Sequence, residues 1–262
     1  MWNEEDCIRQ TIAAAQEVCE ELCVSQTIGD YEILVINDAS TDKTPIIADE
    51  LARTDPKIRV VHHAKNRKLG GSIKSGFAAA KGELILYTDA DAPFDLAELH
   101  KACRLMRVYS CDIVTAYRFD RTTEGPRRTV YTFVYNWIIR LVFGIYLRDV
   151  NFAFKLFHSR IFKHIKLVSE GSFISAELLV RASRLGYRVM QFGVDFFPRT
   201  RGVSTLSSPT VILKILLELV TLWYRLRRVK PLPAHELGTG TEPEPKAAAA
   251  AVSKLPADVE NG

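Results

Sequence analysis

At 262 residues, with 47% of them hydrophobic and 25% charged, the chain can bury a substantial core, which excludes a disordered or disulfide-stapled protein. The net charge of +4 is unevenly spread, because the last 32 residues hold five acidic and two basic side chains, leaving +7 on the first 230. A moderately basic body without an aromatic-interleaved basic stripe suits diphosphates and anionic lipid surfaces and is no nucleic-acid signature.

In chain order, the first strong signal is YEILVINDASTDKT, Tyr31 to Thr44. Ile33, Leu34, Val35 and Ile36 read as a buried parallel strand that opens through a polar turn into a helix. Ligands of open α/β sheets bind at the carboxyl ends of such strands, which makes Asp38 a site candidate. Helix capping is the plain alternative for Asp38, Ser40 and Asp42. His62 and His63 read as strand-end residues. Lys65, Arg67, Lys68 and Lys74 then surround Gly70 and Gly71. Glycines before a helix let backbone approach a ligand, and a helix N-terminus favours anions; a solvated turn with lysines is the alternative. Neither a Gly-x-Gly-x-x-Gly nor a Walker spacing is present.

ELILYTDADAPFD, Glu83 to Asp95, is the most informative stretch. An apolar strand runs into two aspartates one residue apart, and paired carboxylates favour a shared divalent metal carrying a diphosphate. Side chains two apart at a strand end project to one side, so Asp89 and Asp91 are expected to face one ion while Ala90 points away. A strand from Asp112 to Ala116 leads to RFDRTTEGPRR, whose Arg118, Arg121, Arg127 and Arg128 have the planar fork suited to phosphate.

Val130 to Leu147 is apolar on much of its circumference but broken by Asn136 and Arg140, and Val211 to Tyr224 contains Lys214 and Glu218 before a basic cluster at Arg225, Arg227, Arg228 and Lys230. Neither is an uncharged run of the roughly 20 residues that a spanning helix needs. Aromatic residues beside arginines suit a helix lying in a membrane interface, and an ordinary core-facing helix is an equal reading for the second segment. Between them, Asp149 before NFAFKLF is a candidate acceptor or sugar contact, or a turn residue, and EGSFISAELLVRA supplies Glu170 and Glu177 as possible bases. Glu177 reads equally as a buried structural carboxylate. Five cysteines, at 7, 19, 23, 103 and 111, form no metal spacing with histidine, and their odd number fits a reducing cytosol.

Together, WNEE from Trp2, IND-AS-TDKT, N-x-x-x-GG-x-x-K-x-G, DAD, DVNFAFKLF and PRTRG resemble the family-2 glycosyltransferases of the GT-A fold, specifically the polyprenol-phosphate sugar synthases such as dolichyl-phosphate mannose and glucose synthases. The likeness covers about residues 2 to 226. It implies an α/β fold with a mostly parallel central sheet flanked by helices and a catalytic domain over 1–208. The residues themselves add an amphipathic helix over 209–230, interfacial or core-facing, and the Ala-, Pro-, Gly- and Glu-rich composition of 231–262 marks a disordered tail. It implies that Glu4 and Asp38 contact the nucleotide base or ribose, with Lys68 and Asp89 also on the nucleotide side. Asp89 and Asp91 would hold Mg²⁺ or Mn²⁺ against the diphosphate. Asp91, Arg118, Arg199 and Arg201 would carry catalysis, with Arg121, Arg128 and Asp149 on the acceptor side.

The implied reaction moves one sugar, with inversion, from a UDP- or GDP-sugar to a polyprenyl phosphate at the cytosolic face of a membrane. A hydroxyl acceptor, served by Glu170 or Glu177, and an inactive nucleotide-binding remnant stand as alternatives. Two departures bear on this. Pro93 stands where the mannose synthases place a metal-binding glutamine, and the Gln-x-x-Arg-Trp signature of processive synthases is absent. In the family a first central strand precedes the Asn-Glu-Glu segment, whereas Met1-Trp2 stands where it would end. The expectation is therefore a native chain extending upstream, with Met1 an internal methionine, since the neighbours of a missing strand would keep unpaired backbone groups.

Overall fold

The computed structural model describes residues 1–119, 126–196, 209–233 and 235–237, with the helix backbone but not the side chains at 126–129, 131 and 209–216. The elements in order are α1 (Ile8–Val24), β1 (Ile33–Asn37), α2 (Thr44–Thr54), β2 (Ile58–His62), α3 (Lys68–Ala79), β3 (Leu84–Tyr87), α4 (Glu98–Val108), β4 (Ile113–Arg118), α5 (Pro126–Phe143), β5 (Lys155–His158), a 3₁₀ turn (Ser159–Lys163), α6 (Ile174–Leu185), β6 (Val189–Val194) and α7 (Pro209–Arg227). Alternation of short apolar runs with amphipathic helices of 11 residues or more produces this layered α/β arrangement.

Among the described residues the strands fall into two groups. β1 and β2 pair in parallel, Ile33 opposite Ile58 through Asn37 opposite His62. The other four lie in the order β3-β5-β4-β6. β5 runs antiparallel to both β3 and β4, while β6 pairs parallel to β4, so β3, β4 and β6 share one direction. The carboxyl ends of β3 and β4 and the start of β5 therefore lie on one edge, and Tyr87, Lys155 and Thr115 stand side by side across three strands.

Met1 extends the first pair. Its ammonium donates to the Ile36 carbonyl at 2.5 Å and its own carbonyl accepts from the Asp38 amide at 2.9 Å, the alternating pattern of a parallel ladder. Every residue of β3 is half-buried, as are Ile33, Leu34 and Ile36 of β1, while β4 is buried from Ile113 to Ala116. Two apolar clusters among the described residues follow this division. Phe94, Phe152, Phe154, Phe192 and their neighbours fill the larger, and Ile8, Ile12, Val35, Ala48 and Ile58 the smaller.

Residues Met1–Pro231 form one compact unit that includes α7, whose Leu219, Leu222 and Leu226 are buried. The remainder, Leu232–Gly262, is a separate unit, and from 238 onward the expected tail lies outside the described residues. No described helix is long and apolar enough to cross a membrane.

Candidate active site

β1 delivers Asp38 to the site edge, where it is 3% exposed. Its Oδ1 accepts the Arg67 amide at 2.7 Å and lies 2.7 Å from His63 Nδ1. His63 Nε2 is 2.9 Å from Ser75 Oγ, which also accepts from Arg67 Nη1 at 3.1 Å. The turn after β2 and the first turns of α3 are thus folded onto one carboxylate. His63 is a strand-end residue, as expected, and its partner is Asp38; His62 turns the other way, toward Asp49 at 3.0 Å.

The segment Asn3–Glu5 is stitched to the turn before α2. The Glu4 amide donates to Thr44 Oγ1 at 2.8 Å, the Glu5 amide to Asp42 at 3.2 Å, and Asn3 Oδ1 accepts the Thr41 amide at 2.9 Å. Asp42 also accepts from the Thr44 amide at 2.9 Å, a turn bond from one residue ahead of the α2 N-cap, Lys43, which has no side-chain cap of its own. Burial holds the Met1 ammonium below its ordinary pKa, against the opposing pull of Asp38, Asp89 and Glu4.

β3 ends at Tyr87, so the strand alternation anticipated for Asp89 and Asp91 does not extend to them. They lie in the following turn, closed by the Ala92 amide donating to the Asp89 carbonyl at 3.2 Å. Tyr87, the last residue of β3, is bonded to the first of them. Its hydroxyl donates to Asp89 Oδ1 at 3.0 Å, and burial, then the charge of Asp89, then that of Asp91 push the phenol well above its usual pKa. Both Asp91 carboxylate oxygens are shielded from solvent. Asn3, Ala39, Lys68 and Ala92 all have positive φ, 55°, 57°, 60° and 35°, so backbone strain gathers around the acidic turns.

Arg118 is the last residue of β4 rather than part of a following loop. It donates to Asp149 at 2.8 and 3.1 Å from Nε and Nη2, and the pair is buried, with side chains 7% and 0% exposed. Aromatic rings of Phe152 and Phe196 flank the guanidinium at 5.6 and 5.2 Å. A planar bidentate pair of this kind fixes a cation at the strand edge. Phe94, held between Phe152 and Phe154, anchors the chain immediately after Asp91.

Other expectations meet a different outcome. Gly70 and Gly71 lie within α3, and the close approach at Gly70 is to protein, since a Cβ there would meet the Ser169 carbonyl oxygen at 2.5 Å. Its amide donates to the Glu170 carbonyl at 3.0 Å. Lys68 is exposed at the start of α3. Glu170 pairs with Lys74 and lies 3.9 Å from Arg67. Glu177, fully buried, accepts the Val168 and Ser169 amides at 3.0 and 2.7 Å and Arg181 Nε at 2.8 Å. Those bonds make Glu177 the clasp of the loop before α6, the structural reading of that residue. Arg121, Arg199 and Arg201 lie outside the described residues, as does the Arg128 side chain.

The residue that the sequence did not single out is Lys155. It is 1% exposed on β5, its Nζ donates to the Phe152 carbonyl, and burial lowers its pKa to about 8 against the attraction of Asp149 and Asp89. The available signal was a lone charge inside the buried run Phe152–Phe157.

Residues 1–167 match the Glycosyl transferase family 2. The chain belongs to that family. It is 34% identical over 203 residues to Glycosyltransferase AglD of Haloferax volcanii, covering 76% of this chain and 32% of that protein. Dodecaprenyl-phosphate galacturonate synthase of Rhizobium johnstonii is 25% identical over 213 residues, 80% of this chain and 61% of its own length. The chain thus spans from about a third to about three fifths of these two relatives. Polyprenol monophosphomannose synthase of Mycolicibacterium smegmatis is 26% identical over 80% of both chains.

Among solved structures, glucosyl-3-phosphoglycerate synthase from Mycobacterium tuberculosis, in complex with Mn²⁺, UDP-glucose and phosphoglyceric acid, superposes with a TM-score of 0.63 at 17% identity, covering 86% of this chain and 77% of that one. Mannosyltransferase PcManGT from Pyrobaculum calidifontis, in complex with GDP-mannose and Mn²⁺, gives 0.52 at 15% identity, covering 97% and 77%. These likenesses establish the GT-A fold, a glycosyltransferase whose helix-flanked sheet was the expectation from sequence.

Proposed function

We propose that this glycosyltransferase moves one sugar, with inversion at the anomeric carbon, from a nucleotide-diphosphate sugar to a polyprenyl phosphate at a membrane surface. Two of its relatives are named as polyprenyl-phosphate sugar synthases. Asp38 and Glu4 are assigned to the nucleoside, Lys68 to the diphosphate, and Arg118, oriented by Asp149, to acceptor phosphate, together with Arg121, Arg128, Arg199 and Arg201.

A divalent cation fits the donor site. Among the described residues no three His, Cys, Asp or Glu side chains form a self-sufficient metal cage, and Asp89 and Asp91, in one turn, supply hard oxygen donors. Mg²⁺ or Mn²⁺ bound through one or two carboxylates takes its remaining ligands from water and substrate phosphates. When bound, it would neutralise the charge that grows on the departing diphosphate. The other contributions are positional: the turn holding Asp89 and Asp91 sets the donor, and the Arg118–Asp149 pair sets the acceptor.

The acceptor assignment is carried by the state of the two candidate bases. Glu177 is committed to backbone amides and Arg181, and Glu170 is clamped by Lys74. A phosphate acceptor needs neither, because its oxygen is already anionic near neutral pH. That oxygen forms the new bond to the anomeric carbon as the bond to the nucleotide diphosphate breaks. Glu170→Gln should keep kcat for lipid-phosphate transfer within about threefold of wild type; a loss of two to three orders of magnitude, the usual cost of removing a general base, would favour a hydroxyl acceptor.

Membrane contact is assigned to α5 and α7. Phe133, Trp137 and Leu141 of α5 and Leu217, Val220, Trp223 and Tyr224 of α7 are exposed. Arg227 and Arg228 stack over Trp223 and Tyr224 at 5.0 and 3.8 Å, pairing cations with rings as an interfacial helix does.

A further inference from the structure

Lys155 occupies a place for which neither the fold nor the donor chemistry gives an account. A cation buried in a sheet costs several kcal/mol unless its field is matched. Lys155 nevertheless stands in the middle of a row that crosses the four-stranded sheet, Tyr87 on β3, Lys155 on β5, Thr115 on β4 and Gln191 on β6, all directly opposite one another. Residues opposite one another across adjacent strands project to the same face, so this row is polar where the flanking rows, Leu86–Leu156–Val114 and Ile85–Phe157–Ile113, are apolar.

Lys155 faces different parts of the site on its two sides. Tyr87 donates to Asp89 at 3.0 Å, and the Lys155 ammonium lies 5.6 Å from the Tyr87 ring. On the other side Lys155 donates to the Phe152 carbonyl. Phe152 in turn closes a tight turn on Asp149, its amide donating to the Asp149 carbonyl at 3.3 Å, and its ring lies 5.6 Å from the Arg118 guanidinium. Asp149 and Asp89 both act on the Lys155 charge.

We infer that Lys155 is a positioning residue that holds the donor-side Asp89 turn and the acceptor-side Arg118–Asp149 pair at a fixed spacing. The inference rests on the donor and acceptor assignments proposed above. The ammonium does not touch substrate in this role; it fixes the distance over which the acceptor oxygen must reach the anomeric carbon. Misplacement of reacting groups by about 1 Å can cost two orders of magnitude in rate while leaving either substrate bound.

The test compares wild type, Lys155→Met and Lys155→Gln by three readouts: melting temperature, affinity for UDP or GDP with Mn²⁺ by calorimetry, and kcat for transfer to polyprenyl phosphate. Lys155→Met removes the charge at similar volume. It should melt no lower than wild type and bind the nucleotide diphosphate within about threefold, while kcat falls by about 100-fold. Lys155→Gln keeps an N–H for the Phe152 carbonyl without the charge and carries the test if the methionine variant fails to fold, with the same loss of kcat expected. A kcat within threefold of wild type, or a parallel fall in melting temperature, nucleotide affinity and kcat, would overturn the role. Absence of transfer by wild type would instead overturn the acceptor reading on which this role depends.

Discussion

β1 carries three half-buried aliphatic residues and ends beside Asp38, whereas β4 is buried from Ile113 to Ala116 and ends in Arg118. The two strand ends hold candidate site residues by different means. Around Asp38 the turns are fastened by many separate bonds between side chains and backbone amides, from Asn3, Asp42, Thr44 and Asp38 itself. Around Arg118 the fully buried Asp149 carboxylate and a wall of phenylalanines do the same job. A turn fastened by many weak bonds can adjust to a nucleotide, while a buried ion pair offers a fixed cation. The difference predicts that damage will spread on the β4 side and stay local on the β1 side.

The largest effect is expected at Asp149. Asp149→Asn removes the carboxylate that grips the buried Arg118 guanidinium at two points, which should cost about 3–5 kcal/mol of stability by chemical denaturation. It should also abolish transfer. A loss under about 1 kcal/mol would mean that Arg118 is not locked by this pair, and the contrast between the two regions would collapse.

A smaller effect is expected on the other side. Thr44 is fully buried at the start of α2, and Thr44→Ala removes the acceptor of the Glu4 amide. That change should cost about 1 kcal/mol and raise the donor KM several-fold with kcat little altered. If Thr44→Ala destabilised as severely as Asp149→Asn, the fastening around Asp38 would be as cooperative as a buried core.

Much of this was readable from local sequence. An apolar run meeting an aspartate marks β1 and β3, and the spacing of the acidic turns, the strand ending near Arg118 and the amphipathic helices follow from short-range pattern. The placements that departed from expectation depend on partners distant in the chain. Asp89 and Asp91 lie in a turn because β3 ends at Tyr87, so the strand alternation does not reach them. Gly70 looked like a ligand approach and instead meets Ser169, nearly a hundred residues away. Glu177 could be a base or a clasp from sequence, and its bonds to the amides of Val168 and Ser169 and to Arg181 favour the clasp. Lys155 was hidden because its neighbours across β3 and β4 define its setting, and strand pairing is not a local property.

The most direct test of the central claim is transfer of labelled sugar from a panel of UDP- and GDP-sugars into organic-extractable polyprenyl phosphate, with Mg²⁺ or Mn²⁺ present and Asp91→Asn alongside. The account predicts metal-dependent label in the lipid fraction from one donor, lost in Asp91→Asn. A folded, donor-binding enzyme that leaves the lipid phosphate unlabelled while glycosylating a hydroxyl acceptor would contradict it.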